Sequence, residues 1–493
     1  MTLMKTIAIF LAQFVLAAQL ASQAADYYVS PTGDDASLSG AIGHPFKSLK
    51  KGVAQLKAPG DTLYLRGGVY RNQAIAVAVS GTATQPIKIL AYPNEVPVIE
   101  GDNRTQTAKV PHNLVVLGGN HIFLSGLEVR YSTGPGISVT GSYDCVSNVF
   151  SHHNYNEGIK VSGKGYSNIV EYCDVWWNVC ENENARNAIA GKNWGTGLCA
   201  ARAPHGTILR HNKVHDNWGE GLDTYEAYDT LIEDNVVYDN WSVNLYTSDT
   251  PNSVVRRNLV YNTPQSPVAR AVNAHLPELQ AAKVNNRIAR GIVFCDEVAA
   301  RGRSAWSTNV QIYNNIVIGC RGNFKYVNLD LGGRFSKPLQ QSELVHPTGL
   351  QGCLIAYNTF VNSWDPDPAR PTVANFNIGK GAHQNTRIEN NLFVQEPGGR
   401  LDDVVADPEL HFSHNLWSEK PSPQVAGSGD IIGNPRLAKT GATGAGQLTP
   451  DYFKVTAGSP AIGRAKTIAE VKDDLFEKAR GSHPTIGAYE FKP

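Results

Sequence analysis

Between residues 207 and 258 the apolar and polar positions repeat as one phrase. Thr207-Ile-Leu-Arg-His-Asn212, Thr230-Leu-Ile-Glu-Asp-Asn235 and Ser253-Val-Val-Arg-Arg-Asn258 follow each other at intervals of 23 residues. Within the phrase Leu209, Ile232, Val255 and, further on, Ile312 share one parity, while Arg210, Glu233, Arg256 and Tyr313 share the other. A period of two predicts strands with one buried face. The phrase returns, spread by insertions, at Asn309-Val-Gln-Ile-Tyr-Asn-Asn315, Gly352-Cys-Leu-Ile-Ala-Tyr-Asn358, Asn385-Thr-Arg-Ile-Glu-Asn-Asn391 and His411-Phe-Ser-His-Asn415. Looser copies stand upstream at Cys145-Val-Ser-Asn148 and Ile169-Val-Glu-Tyr-Cys-Asp174. Each unit closes with a second short strand, as in Gly221–Tyr225 and Ser242–Tyr246, so one unit is a coil and stacked coils make parallel sheets. The recurring asparagine, at 212, 235, 258, 315, 358 and 391, is expected to stack at one turn as an amide ladder. Arg210, Glu233 and Arg256 then stack with alternating sign as structural ion pairs.

The two ends of the chain extend this reading. Tyr27-Tyr-Val-Ser-Pro-Thr-Gly-Asp34 opens it, Pro45 to Leu56 reads as a capping helix, and Pro59 to Tyr70 follows; Gly458-Ser-Pro-Ala-Ile-Gly463 and Ile486-Gly-Ala-Tyr-Glu490 close it. With the repeat, these segments make the chain resemble the pectate-lyase-like superfamily of right-handed parallel β-helices over essentially the whole mature length. The resemblance implies an all-β, right-handed parallel β-helix with an N-terminal capping helix, in one domain over 26–493. Residues 26–110 would be the cap and first coils, 111–420 the central coils with the cleft loops, and 421–493 the C-terminal finish. This fold hosts lyases, epimerases, hydrolases and inert fibres, so the likeness does not choose a reaction.

Composition adds a compartment and removes some partners. Lys5, the apolar run Ile7–Ala18 and the small residues Ser22, Ala24 and Ala25 read as a secretory signal over 1–25, which makes the mature protein extracellular or periplasmic. No later stretch reaches the ~20 apolar residues of a membrane span. Lys and Arg total 44, as do Asp and Glu, so no net field draws the chain to nucleic acid or an anionic membrane. The expected partner is an extracellular polysaccharide held locally by a monomer. The seven cysteines, at 145, 173, 180, 199, 295, 320 and 353, show no metal pair and are read mostly as interior packing, ahead of a Cys173–Cys180 bridge.

Insertions in a solenoid stand side by side as walls. Three of them, Glu181 to Trp194, Thr263 to Arg290 and Trp364 to Pro371, are read as leaving the turn after the asparagine strand and bordering one sheet. Aligning that sheet on its inward residues Ile159, Leu198, Leu222, Leu245 and Ile292 puts Lys160, Cys199, Asp223, Tyr246 and Val293 in one outward column. A second column runs Ser162, Ala201, Tyr225, Ser248, Cys295, and past it stand Gly163, Arg202, Glu226, Asp249 and Asp296. Neighbouring carboxylates ask for a cation, a shared proton or a base. The candidate catalytic groups are therefore Asp223, Tyr246, Lys160 and Arg202. Tyr225, Trp218, Trp194 and His205 are the candidate sugar contacts, with His215 also near enough to reach the cleft and Trp176 assigned to the core. Glu220, Glu226 and Asp249, with Asp223, are candidate ligands for calcium, the one cofactor this reading admits.

Cleaving a uronic-acid polymer by elimination needs a positive charge on the carboxylate and a base for the adjacent C–H. One pectate-lyase group of the superfamily takes calcium on a segment of the form N-S-D-D-G-F-D. The similar stretch here is Asn217-Trp218-Gly219-Glu220-Gly221-Leu222-Asp223, which keeps acids at Glu220 and Asp223 and replaces one by Gly219. The lysine that group carries about one coil later falls near Asn244. Alginate epimerases of the fold place an Asp-Pro-His-Asp-like stretch where Asp223-Thr-Tyr-Glu226 stands, without its histidine. A lyase acting on a uronic-acid polymer is the leading expectation. The alternatives are a C5-epimerase, a glycoside hydrolase using Glu226 with Asp249 or Glu220 with Asp223 at ~5 Å, and a non-catalytic carbohydrate-binding protein.

Overall fold

Three parallel sheets, rather than two strands to a unit, build each complete coil. The computed structural model describes residues 24–102, 112–185, 195–202, 204–264, 288–331, 339–365, 373–396 and 399–492. In a typical coil Ile208–Arg210 belongs to the first sheet, Lys213–His215 to the second and Glu220–Tyr225 to the third. The next coil repeats the order with Leu231–Glu233, Val236–Tyr238 and Val243–Ser248. Among the described residues the first and second sheets have 13 strands and the third has 11, each strand paired in parallel with its equivalent one coil away. This is an all-β parallel β-helix, right-handed as parallel crossovers are. Second-sheet strands such as Lys213–His215 begin only two residues after a first-sheet strand ends, so the sequence pattern does not set them apart.

The asparagine ladder stacks at one turn as expected, between the first and second sheets. Asn212 donates through Nδ2 to Asn235 Oδ1 at 3.1 Å, Asn235 to Asn258 at 3.0 Å, Asn258 to Asn315 at 2.9 Å, and the chain of amides runs on through Asn358 and Asn391 to Asn415. Each amide also donates to a backbone carbonyl one coil back, as Asn258 does to Ile232. A second ladder, which the repeat did not reveal, lines the turn into the third sheet: Asn154, Asn178, Asn217, Asn240, Asn244 and Asn262. Glycines make room for it. A Cβ on Gly197 would come within 2.5 Å of Asn217 Nδ2, and one on Gly221 within 2.4 Å of Asn240 Nδ2.

Between the sheets lies one continuous apolar interior that includes Leu209, Val214, Leu222, Ile232, Val237 and Leu245. A short helix, Leu49–Val53, covers its N-terminal end, and Ser48 caps it by accepting the Lys51 N–H. Of the alternating charges Arg256 meets Glu233 as expected, at 2.7 Å, whereas Arg210 turns to Glu171 of the preceding coil, also at 2.7 Å. Of the seven cysteines, Cys173, Cys199, Cys295, Cys320 and Cys353 are buried, and Cys145 and Cys180 are partly so. Trp176 is not in the core: it lies partly exposed on the outer face of the second sheet, stacked on His152.

The C-terminal segment turns back along the outside of the second sheet. Leu448, Phe453, Leu475 and Ala488 pack on Tyr238, Leu259, Tyr261, Ile316 and Val361. Tyr261 OH accepts the Gly446 N–H, Tyr357 OH donates to the Lys466 carbonyl, and Arg480, buried beside Glu490, donates to Asn314 Oδ1. No helix among the described residues is long and apolar enough to cross a membrane. The segment read as a secretory signal lies outside the described residues except at its last positions.

Candidate active site

All three insertions leave one coil corner, between the second and third sheets: Asp174–Trp176 precedes and Thr196–Ala201 follows the first, Leu259–Tyr261 and Arg290–Asp296 flank the second, and Thr359–Val361 and Ala374–Ile378 the third. They depart one strand later than expected, because the short second-sheet strand intervenes. Their central parts, Trp194 included, lie outside the described residues. A further wall comes from the opposite edge, where the segment after Arg290–Asp296 carries Glu297, Arg301 and Arg303 back over the sheet. Between these edges the third sheet floors a cleft of about 740 Å³.

The outward columns fall where the alternation put them. Lys160 pairs with Cys199, Cys199 with Asp223, Asp223 with Tyr246 and Tyr246 with Val293, and the register survives the long second insertion. The same column continues to Lys325, opposite Val293. Tyr225 and Ser248 occupy the second column. Lys160, Arg202, Glu220, Asp223, Tyr225 and Tyr246 all line the cleft. They are joined there by Glu157, Arg290, Glu297, Arg301, Arg303 and Lys325.

Charge is divided along the cleft. At one end Lys160 Nζ donates to Glu157 Oε1 at 2.6 Å. Burial works against the Lys160 ammonium, but Cys199 and Glu157 outweigh it and hold its pKa above the ordinary lysine value. Asp223 is 7% exposed, and its Oδ1 meets no donor. Burial, with Glu220 and Glu157 nearby, lifts its pKa well above the carboxylate range, so the protonated acid is favoured. Tyr246, partly exposed, donates to Glu297 Oε1 at 3.2 Å, and its phenol is likewise held protonated by burial.

Guanidinium groups flank the column: Arg290 opens its strand on the insertion side, Arg202, Arg301 and Arg303 stand along the opposite edge, and Lys325 continues the column itself. Arg301 donates to Tyr225 OH at 3.0 Å and Arg303 pairs with Glu226. Lys325 makes no hydrogen bond or ion pair with the described residues. Burial, then the neighbouring charges of Arg290 and Arg321, lower its pKa to about 8. A lysine so placed is a usable base near neutral pH. Carrying the column alignment one strand further, with Phe324 inward, would have found it. Arg301 and Arg303 return over earlier coils, and no local pattern marks such a contact.

Several expected site residues are elsewhere. Trp218 is fully buried, edge-on to Trp177, and offers no face to a sugar. His205 lies outside the cleft at the turn into the first sheet, with both ring faces covered by Tyr166 and Tyr228 at 5.4 and 4.6 Å. His215 is on the second sheet, held between Asp174 and Asp216. Glu226 and Asp249 sit where the strands leave through left-handed turns, at φ of 48° and 54°, which breaks the alternation and turns them from the cleft. Glu226 is engaged by Arg303, while Asp249 is fully buried, accepting from Ser248 Oγ at 2.6 Å and the Glu297 N–H at 3.2 Å.

The calcium ligand set therefore does not assemble. Glu220 opens a six-residue strand and Glu226 follows its end, a separation of ~20 Å along an extended chain. Among the described residues no three carboxylate, imidazole or thiol side chains converge to hold a metal ion. The carboxylate pair of Glu226 and Asp249, considered for hydrolysis, is likewise outside the cleft.

The family described as "Pel9A-like, right handed beta helix region" matches residues 27–254, and a general right-handed β-helix region matches 177–415. Pectate lyase PEL9 of Emericella nidulans is 30% identical over 217 residues, covering 41% of this chain and 50% of that protein. Pectate lyase L of Paenibacillus polymyxa is 33% identical over 153 residues, covering 29% and 32%. These matches, which together span residues 27–415, are to pectate-lyase-like right-handed parallel β-helices. The chain spans half or less of the length of these curated relatives in the matched regions. The solved structure of pectate lyase Pel9A superposes with a TM-score of 0.56 at 17% identity, over 96% of this chain and 98% of that one. The complex of XylC with xylose gives 0.60 at 10%, over 95% and 98%. At such identities these likenesses establish the fold alone.

Proposed function

We propose that this protein is a secreted polysaccharide lyase that cleaves a uronic-acid-containing polymer by β-elimination in the third-sheet cleft. The reading rests on Lys325: an unpaired, largely buried amine with a pKa of about 8, on the outward column that carries the protonated groups Asp223 and Tyr246. Two strand spacings, ~9.6 Å, separate the backbones of Tyr246 and Lys325, and only Val293 lies between. A pyranose ring fits over that valine with one group on either side.

The guanidinium bank binds the uronate carboxylate and spreads its charge, which acidifies the C5–H. The neutral Lys325 amine takes that proton, the electron pair forms the C4–C5 double bond, and the C4–O bond breaks. Tyr246 OH, or the Asp223 acid beside it, supplies the proton that the leaving oxygen needs. Lys325 then returns its proton to solvent, and Tyr246 or Asp223 is reprotonated. Pectate lyases among the curated relatives make a polygalacturonate-like substrate the first choice. Export by the Ile7–Ala18 segment would bring the enzyme to it.

Purified protein is to be incubated with a panel of uronic and neutral polysaccharides while ultraviolet absorbance of unsaturated ends and reducing ends are recorded together. Both signals rising together on a uronic polymer is the expected result. Reducing ends alone would replace elimination by hydrolysis, and the absence of both signals would overturn the lyase reading.

A further inference from the structure

We propose that the Lys160 ammonium is the built-in counter-ion of the acidic end of the cleft, standing in for the divalent cation that the superfamily resemblance implies. This deepens the lyase reading, but its main measurement does not depend on catalysis. Lys160 and Asp223 share one outward column with only Cys199 between them, ~9.6 Å apart along the sheet. Lys160 holds Glu157 at 2.6 Å, and its charge opposes the proton that Glu220 and Glu157 favour on Asp223. Asp223 keeps one buried oxygen without a donor.

A calcium ion needs six to eight oxygens turned toward a single point. Here the oxygens are turned apart: Glu157 to Lys160, Glu226 to Arg303, and Asp249 to Ser248 and the Glu297 N–H. An ammonium on a flexible four-carbon stem can serve such acceptors one at a time. The positive charge is thus part of the chain, and the substrate carboxylate falls to the guanidinium groups that flank the column. Removing the ammonium leaves Glu157, with a side chain only 15% exposed, without its counter-charge. With the ammonium gone Glu157 can turn toward Asp223 and Glu220, whose charges it already meets, and a cation from solution then takes the place of Lys160.

The test is thermal unfolding of the full-length protein, Lys160→Met and Lys160→Arg, each with calcium chloride, with a chelator, or with neither. The wild-type and Lys160→Arg midpoints are expected to ignore both additions, whereas Lys160→Met melts several degrees lower and recovers in calcium. A wild-type midpoint that rises with calcium or falls with chelator overturns the proposal. So does a Lys160→Met midpoint indifferent to calcium. Should Lys160→Met fail to fold, calorimetric titration of the wild type with calcium chloride decides: saturable binding refutes the proposal and its absence upholds it. Loss of the unsaturated-end signal on every polymer, with the melting pattern intact, would sink the lyase reading and leave the counter-ion assignment standing.

Discussion

The inner asparagine ladder and the outer cleft column run over many of the same coils, yet they treat buried polar groups in opposite ways. Along the ladder every amide is matched: Asn258 donates to Asn315, Ile232 and Arg256 and accepts from Asn235. Along the column Asp223 has an oxygen without a donor, and Lys325 is set against burial and the charges of Arg290 and Arg321. An unmet buried group costs free energy that a satisfied one does not. Of these two rows, the ladder spends its polar groups on holding coils together, and the column keeps an acceptor open toward the cleft.

The largest expected effect breaks the column. Lys325→Met should lower kcat by ~10²–10⁴-fold, the range of a lost general base, with the unfolding midpoint unchanged or raised. In the wild type kcat/KM should climb with pH and level off above about 8 as the amine loses its proton. A profile flat through that range would remove Lys325 from the chemistry. Next, Asp223→Ala and Tyr246→Phe should each cost ~100-fold in turnover while melting within a few degrees of wild type. Near-normal turnover in Asp223→Ala would leave Tyr246 as the sole acid.

Breaking the ladder should do the reverse. Asn258→Ala orphans amide partners on both sides and should cost ~2–4 kcal/mol by denaturant titration, with specific activity of the folded fraction retained. Acidity offers a milder test. Burial raises Asp144 and Asp239 to about 7 and Asp296 to about 6, so all three favour the folded state when protonated. Their contribution is complete below the unfolded carboxylate pKa and disappears as pH rises through about 6 to 7. Glu95, held low by Arg66 and the Gly67 N–H, works the other way, losing its contribution as pH falls below the ordinary glutamate value. The melting temperature should therefore peak near pH 5 and decline toward pH 8; a midpoint still rising between 6 and 8 would contradict these assignments. Smallest of all, Arg256→Ala should cost up to ~1 kcal/mol, with turnover unaffected.

The repeat made most of the scaffold legible because a 23-residue phrase with one buried parity repeats the same physical problem in each coil. It carried the register through the long insertion, so that Ser248 does face Cys295. Strands such as Lys213–His215 were lost because they follow the first-sheet strand after only two residues and merge with it in the pattern. The second ladder was lost because insertions enter beside it, and Asn240 and Asn244 stand only four residues apart in sequence while occupying successive steps. At the site, strand positions were readable and turn positions were not: Asp223 and Tyr246 face the cleft, whereas left-handed turns send Glu226 and Asp249 elsewhere. Trp218 shows the limit of residue type, since a tryptophan beside a turn can fill the interior as readily as meet a sugar.

A solenoid held only by contacts between adjacent coils can peel from either end, one coil at a time. The returning C-terminal segment removes that freedom on one side, because Gly446 is bonded to Tyr261, 185 residues earlier in the chain, and Arg480 to Asn314, 166 residues earlier. The final coils cannot fray without first releasing a belt anchored near the middle of the molecule. Under a steady pull on the C-terminus, rupture should therefore come as one large event spanning several coils instead of a staircase of equal steps.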